Sequence, residues 1–263
     1  FIYCHSPARW LYLSDQYLGE KSTGPVPLLL KTLRPALMLW DHWAAHRSAV
    51  YVANASVIKK RIENVYGKKD VPIFFPPHSV DTTAPVEPIP GLEEFTESDD
   101  YFLIVSRLLP YKNVDKAVEA CNELGKKLLV IGRGPEKERL EALAGPTVRI
   151  ASGVSDAQLR YAYRHCLALL AISYEDFGIT PLEAGASGKA VIAYRAGGFL
   201  DTIQEGKTGM FINQPTVEQL VEALKAFNPD DWDADYIREH VDGFSEARFI
   251  SRLKTYVHAL PED

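Results

Sequence analysis

Two carboxylates, Glu175 and Glu183, flank a glycine turn in the stretch Ala168-Leu-Leu-Ala-Ile-Ser-Tyr-Glu-Asp-Phe-Gly-Ile-Thr-Pro-Leu-Glu183. The pattern reads as a buried strand, a turn at Gly178 and a helix start. Thr180, Pro181 and Glu183 fit a capping box, with Thr at the N-cap, Pro at the first helical position and Glu at the third. Local sequence therefore leaves Glu183 open between helix capping and ligand contact. Glu175, at the end of the same strand, turns the reading toward a ligand. The turn offers free amides beside the positive end of a helix, a natural seat for phosphate.

A second cluster, Arg107-Leu-Leu-Pro-Tyr-Lys112, opens where an apolar run over 101–106 ends. One fork donor and one point charge in a single strand-exit loop could clamp a diphosphate and stabilise it as a leaving group, although two solvated surface charges would look the same. Gly132-Arg-Gly-Pro135 follows the next apolar run, and its glycines permit close backbone approach by a ligand. It is not the dinucleotide fingerprint, because position 137, where GxGxxG needs glycine, is Lys.

Other constellations carry less. His42 and His46 have zinc-compatible spacing, but Trp43 stands where HExxH needs Glu, so packing or solvent exposure is expected. Asp231-Trp-Asp233 contains the D-x-D of metal-dependent transferases, yet it follows Asn228-Pro-Asp in a loop, which predicts helix capping. Cys4 and Ser6 flank His5 without any GxSxG elbow. Trp10, Trp40 and Trp43 lie among Arg9, Lys31, Arg34 and Arg47; packing of that helix is favoured over a membrane-interfacial surface.

These residues need a frame that brings strand exits together. Beyond residue 100 short apolar runs alternate with helical patterns, the mark of βα units and a parallel sheet. Strands are expected at 101–106, 127–131, 148–150, 168–172, 190–193 and 209–211, with helices at 113–124, 135–144, 156–165, 181–187, 199–204 and 216–227. In such sheets ligands sit outside the carboxyl ends of the strands. The first ninety residues give strands at 1–4, 49–53 and 71–75 and helices at 35–48 and 55–66. The expected division is a partial Rossmann-like domain with a proline-punctuated linker over 1–90, a complete Rossmann-like domain over 91–241, and a closing segment over 242–263. Its capped amphipathic helix at 245–260 is expected to pack back on the first domain.

The 263 residues are 46% hydrophobic and 24% charged, ordinary for a globular α/β chain. A net charge of −6 supplies no field for nucleic acid. Three scattered cysteines argue against a disulfide framework or thiolate zinc site and suit a reducing cytosol. The longest apolar stretch, 26–40, is interrupted by Lys31 and Arg34 and is too short to span a membrane.

The chain resembles retaining glycosyltransferases of family 4, which have the GT-B fold of two Rossmann-like domains. Glu175 and Glu183 match that family's E-x7-E pattern. The likeness continues through Val105-Ser-Arg-Leu-Leu-Pro-Tyr-Lys112, Ile131-Gly-Arg-Gly-Pro135, Gly153-Val-Ser-Asp156, Glu183-Ala-Gly-Ala-Ser-Gly-Lys189, Ala196-Gly-Gly198 and the opening Tyr3-Cys-His-Ser-Pro7. The resemblance implies Arg107 and Lys112 on the donor diphosphate, Glu183 on the nucleotide ribose, and Glu175 with the Gly178 and Ile179 amides on the sugar and distal phosphate. It implies His5 on the sugar hydroxyls, and Gly132, Gly134, Gly153, Val154 and Thr180 around the donor. No metal or other cofactor is implied. The function expected is metal-independent transfer of a hexosyl unit, first guess mannose from GDP-mannose, to a glycan or lipid-linked acceptor in the cytoplasm. Alternatives are an epimerase or phosphorylase of the same fold, or a non-catalytic binding half. The front of the family's first domain is absent here, so donor binding without efficient transfer is expected. Contact with the inner face of the membrane, self-association and a partner chain stay open.

Overall fold

The computed structural model describes residues 1–12, 25–47 (backbone alone at 25–31) and 50–260. Two compact units result, Phe1–Pro76 and Pro77–Asp263.

In the first unit β1 (Ile2–Cys4) and β2 (Tyr51–Ala53) pair in parallel, Ile2 opposite Tyr51 and Cys4 opposite Ala53. Helix Ser56–Tyr66 turns Ile58, Ile62 and Tyr66 inward at four-residue spacing and ends on Gly67 at φ 64°. The strand expected over 71–75 is reduced to one bridge, Ala53 with Ile73. Pro72 has only a carbonyl to offer, accepting from Ala53 N, and two further prolines follow at 76 and 77.

The helix expected from Pro35 begins ten residues earlier and runs Pro25–Arg47, with Pro35 in its interior. An interior proline costs a helix about 3 kcal/mol. Side chains on both sides of it tie the helix down. Arg34 Nε donates to Leu11 O at 2.9 Å, and Asp41 Oδ2 accepts from Tyr12 and Tyr66 hydroxyls at 2.7 and 2.8 Å.

The second unit holds a six-stranded parallel sheet: β3 (Tyr101–Val105), β4 (Lys127–Ile131), β5 (Val148–Ala151), β6 (Leu169–Ala171), β7 (Val191–Tyr194) and β8 (Gly209–Ile212). The spatial order is β5-β4-β3-β6-β7-β8. Strand side chains alternate between two clusters. Phe102, Ile104, Leu128, Val130, Leu170 and Ile192 pack on the side of helices Val114–Leu124 and Val217–Ala226. Tyr101, Leu103, Leu129, Leu169 and Val191 pack on the other side with Tyr163, Ala184 and Phe199. This two-sided burial is why the strands read as continuous apolar runs.

The proline-rich stretch after Pro77 is held to this unit, Pro85 O by Arg160 and Thr82 O by Arg164. The closing helix spans Glu246–His258, and Ser245 makes no side-chain cap, contrary to expectation. Its backbone neighbourhood is instead engaged by His78, whose N–H reaches Phe244 O at 3.2 Å. Cys4, Cys121 and Cys166 are free and buried, and burial pushes the Cys121 and Cys166 thiols up to about 12. No described helix is long and apolar enough to cross a membrane.

Leu103 is fully buried at the centre of the sheet, opposite Leu129 and Leu169. Leu103→Ala should cost about 2 to 5 kcal/mol, read by urea denaturation. A loss under about 1 kcal/mol would mean that the sheet centre closes over the void.

Candidate active site

The sheet adds strands on one side from β3 to β4 and β5, then returns to the other side of β3 at β6. Loops leaving β3 and β6 therefore diverge, which opens a crevice at their carboxyl ends. A cavity of about 160 Å³ lies there, walled by Lys112 from the β3 loop and Ser173, Glu175, Gly178, Ile179 and Thr180 from the β6 loop.

Lys112 closes a short 3-10 turn, Pro110–Lys112, and Asn113 follows at φ 56°. Asn113 Nδ2 donates to Ile172 O at 3.0 Å, which ties the two loops together. Across that tie Lys112 Nζ donates to Glu175 Oε1, and Ser173 Oγ donates to the same oxygen at 2.7 Å. The ammonium side chain is only 10% exposed and the carboxylate 26%. Charges so withdrawn from water must be paired.

Backbone packing sets the Glu175 loop. Gly198 N donates to Glu175 O at 2.9 Å, and a Cβ on Gly197, at φ 62°, would fall 2.0 Å from that oxygen. Gly178 sits at φ 81°, and a Cβ there would meet the Phe199 ring at 2.3 Å. The amides of Gly178 and Ile179 donate no hydrogen bond among the described residues.

Glu183 is not part of a capping box. Helix Thr180–Ala186 takes Ile179 as its N-cap without any side-chain cap, so Thr180 is already the first helical residue. The Glu183 side chain instead accepts the Tyr163 hydroxyl at Oε2, 2.7 Å away. Burial pushes the Glu183 carboxyl above its ordinary range, and the Tyr163 hydrogen bond pulls part of the way back.

Of the other expected donor contacts, Arg107 is exposed, its Nη2 3.3 Å from the Tyr111 hydroxyl, and it lies outside the cavity wall. Gly132 and Gly134 allow the third strand-exit loop to close on the first: a Cβ at either would lie 2.0 and 2.2 Å from Ser106 O and Leu108 O. Gly153, at φ 74°, faces Arg133, while Val154 packs on the sheet. Gly153 and Val154 do not line the cavity, and neither do Gly132, Gly134 and Glu183.

His5 belongs to the first unit, where it is exposed, edge-on to Tyr3 and 3.3 Å from Asn54 Nδ2. His42 and His46 are exposed with rings 4.4 Å apart, as expected for a surface pair. Asp233 caps helix Ala234–Asp242, as expected, while Asp231 caps no helix and accepts from the Asn228 side chain, itself the cap of the short turn Pro229–Asp231. Trp40 and Trp43 are 63% and 57% exposed; the Lys31 side chain grouped with them lies outside the described residues.

Asn113, Ser173 and Tyr163 were not singled out from sequence. Ser173, a lone hydroxyl ending an apolar strand run, carried a readable signal. Tyr163 carried none.

A family model described as glycosyl transferases group 1 matches residues 88–241. The chain belongs to that family. Its curated relatives include glycogen synthase from Pseudomonas syringae pv. syringae, 33% identical over 133 residues, 47% of this chain and 27% of that protein. They also include a GDP-mannose-dependent alpha-(1-6)-phosphatidylinositol monomannoside mannosyltransferase of Mycobacterium tuberculosis, 31% identical over 138 residues, 46% of this chain and 36% of that protein. The matched stretch thus spans about a quarter to a third of these relatives. Among solved structures, sucrose-phosphate synthase from Thermosynechococcus elongatus superposes with a TM-score of 0.75 at 18% identity, covering 97% of this chain and 66% of that one. Anabaena Alr3699/HepE in complex with UDP gives 0.71 at 15% identity, covering 85% and 67%. The fold of this group 1 chain is α/β of the GT-B type.

The raised Glu183 carboxyl has a consequence for stability. Between its ordinary value of 4.5 and its raised folded value, the folded chain keeps a proton that the unfolded chain has released. This group's contribution to stability therefore falls as pH rises through that window. Glu183→Gln removes the titration, so the Tm of the variant minus that of the parent should climb from about pH 4.5 toward neutrality. A difference that stays flat across that range would show that folding leaves this carboxyl unperturbed.

Proposed function

We propose that the chain provides the donor site of a retaining, metal-independent glycosyltransferase of family 4, moving a hexosyl unit from a nucleoside diphosphate sugar to a glycan or lipid-linked acceptor. The observation that carries this reading is the Lys112 ammonium, largely withdrawn from water and held by Glu175, in the wall of a cavity at the β3 and β6 exits. Membership of the group 1 family supports it.

On this reading, diphosphate takes the place of Glu175 on Lys112, with Arg107 adding its fork from the same loop. Glu175, released, accepts from sugar hydroxyls, and Glu183 accepts from the ribose. In the reaction the bond from the anomeric carbon to the distal phosphate oxygen breaks, and its electron pair leaves on the diphosphate. The acceptor oxygen bonds to the same face of that carbon, and its proton passes to the departing phosphate. Lys112 and Arg107 neutralise charge as it develops, where low water content makes each donor count for more. Asp233 is taken up by capping and Asp231 by the Asn228 side chain, which supports a mechanism without a D-x-D metal. GDP-mannose is the first donor to try, since one relative's name carries it.

Calorimetry with UDP-, GDP- and ADP-sugars, with and without EDTA, tests the reading. One donor should bind, and EDTA should leave its affinity unchanged; loss in EDTA restored by manganese would overturn metal independence, and no binding at all would overturn the assignment.

Lys112→Ala should weaken that donor about ten- to a hundredfold, since charge-assisted hydrogen bonds contribute roughly 1.5 to 3 kcal/mol. A falling Tm with unchanged affinity would mark Lys112 as structural.

A further inference from the structure

Glu183 is an expensive residue where it stands. Its helix neighbours Leu182, Ala184, Gly185 and Ala186 are all buried, and burial works against its charge. An ionised carboxylate has about four lone-pair sites. The chain fills one, through Tyr163 on Oε2. Oε1 accepts no hydrogen bond from the described residues.

Tyr163 is well built to fix such a group. It is 1% exposed and sits near the end of helix Asp156–His165, on the same side of the sheet as Ala184. That helix end is tied down on both sides of it: Tyr101 Oη donates to Ala162 O at 2.9 Å, and Cys166 Sγ to Tyr163 O at 3.4 Å. Burial and the adjacent carboxylate push the Tyr163 phenol well above its ordinary range, so it stays a donor. A phenol ring has two torsions, and a ring this buried has little room to turn about either, so the position of its hydroxyl oxygen is held too.

We propose that Tyr163 is a positioning residue for the nucleotide: by holding Glu183 Oε2 from helix Asp156–His165, it leaves Oε1 as the acceptor for the ribose hydroxyls. The proposal rests on the preceding reading that Glu183 meets the ribose, and adds the group that orients it. Tyr163 itself touches no substrate. Its contribution is to selection for ribose, and it has no part in holding the diphosphate, which belongs to the Lys112 loop.

The test compares UDP and GDP with their 2′,3′-dideoxy counterparts and with inorganic pyrophosphate, by calorimetry, on the parent chain and Tyr163→Phe. The parent should prefer the ribo form of the nucleotide it binds. In Tyr163→Phe, affinity for the ribo form should fall about three- to tenfold, because a hydrogen bond to a charged group is lost one step from the ligand. The dideoxy form and pyrophosphate should bind as before, so the ribo-to-dideoxy ratio collapses. Tyr163→Phe combined with Glu183→Gln should be no worse than Glu183→Gln alone, since the two act through one contact.

A ratio unchanged in Tyr163→Phe overturns the proposal, as does a parallel loss of all three ligands. A parent that binds ribo and dideoxy forms equally overturns the assignment of Glu183 itself, and the proposal with it. A crystal structure of the parent with the bound nucleoside diphosphate carries the same test without a variant. Oε1 on a ribose hydroxyl with Tyr163 still on Oε2 supports the proposal; Tyr163 released from Glu183 overturns it.

Discussion

The reversal of strand order at β3 and β6 is the constraint on which the rest of the second unit depends. Parallel strands need crossovers, and right-handed crossovers running in opposite directions from one strand put their helices on opposite faces of the sheet. The two loops at the reversal must then part, and nothing in the sheet fills the space between them. β6 is described over only three residues and meets β3 at a single paired position, Leu103 with Leu169. The Asn113 amide on Ile172 O restrains the loops just above that short pairing. Lys112 and Glu175, 63 residues apart in sequence, become neighbours as a consequence.

Their ion pair adds little net stability. Desolvating two charges costs several kcal/mol each, and mutual attraction roughly cancels that cost. A pair of apolar residues would hold the loops as well. What the pair does is keep a cation in a cavity wall with its counter-ion already in place. On the proposed reading, an incoming diphosphate exchanges one carboxylate for its own oxygens without exposing a bare buried charge. On the same reading the Ser173 hydroxyl on Glu175 Oε1 lowers the cost of that exchange, because Glu175 keeps a donor without the lysine.

The second unit was largely legible in the sequence, since its strands are buried on both faces and bounded by glycine turns; β4 and helix Asp156–His165 fall where the apolar pattern put them. Misreadings arose where a local rule met a longer-range one. Pro35 looked like a helix start because propensity says so, but Asp41 and Arg34 anchor the helix on either side of it. The run over 71–75 looked like a strand by composition, but Pro72 cannot donate to a ladder. Thr180, Pro181 and Glu183 had capping-box spacing, and a tyrosine from another helix took the carboxylate instead. In the site, charge and glycine spacing announced Lys112, Glu175 and Gly178. Tyr163 could not be announced, because its partner is fixed by the packing of two helices on one face and by no spacing along the chain.

The accuracy of the charged pair comes from backbone more than from side chains. Glu175 O is held by Gly198 N, and Gly197 lies so close that any side chain there would collide with it. Gly132 and Gly134 press the β4 exit against the β3 loop in the same way. Two pairs of strand exits, β4 with β3 and β7 with β6, are thus locked main chain to main chain, and such contacts are indifferent to the identity of neighbouring side chains. Around this frame Tyr111, Tyr174 and Ile179 stand 49%, 45% and 42% exposed. Of these only Ile179 lines the cavity, so a substitution there changes what the cavity presents while the glycine contacts keep the charges in register. The division of labour follows from burial: the frame tolerates no added atom, and the rim tolerates many.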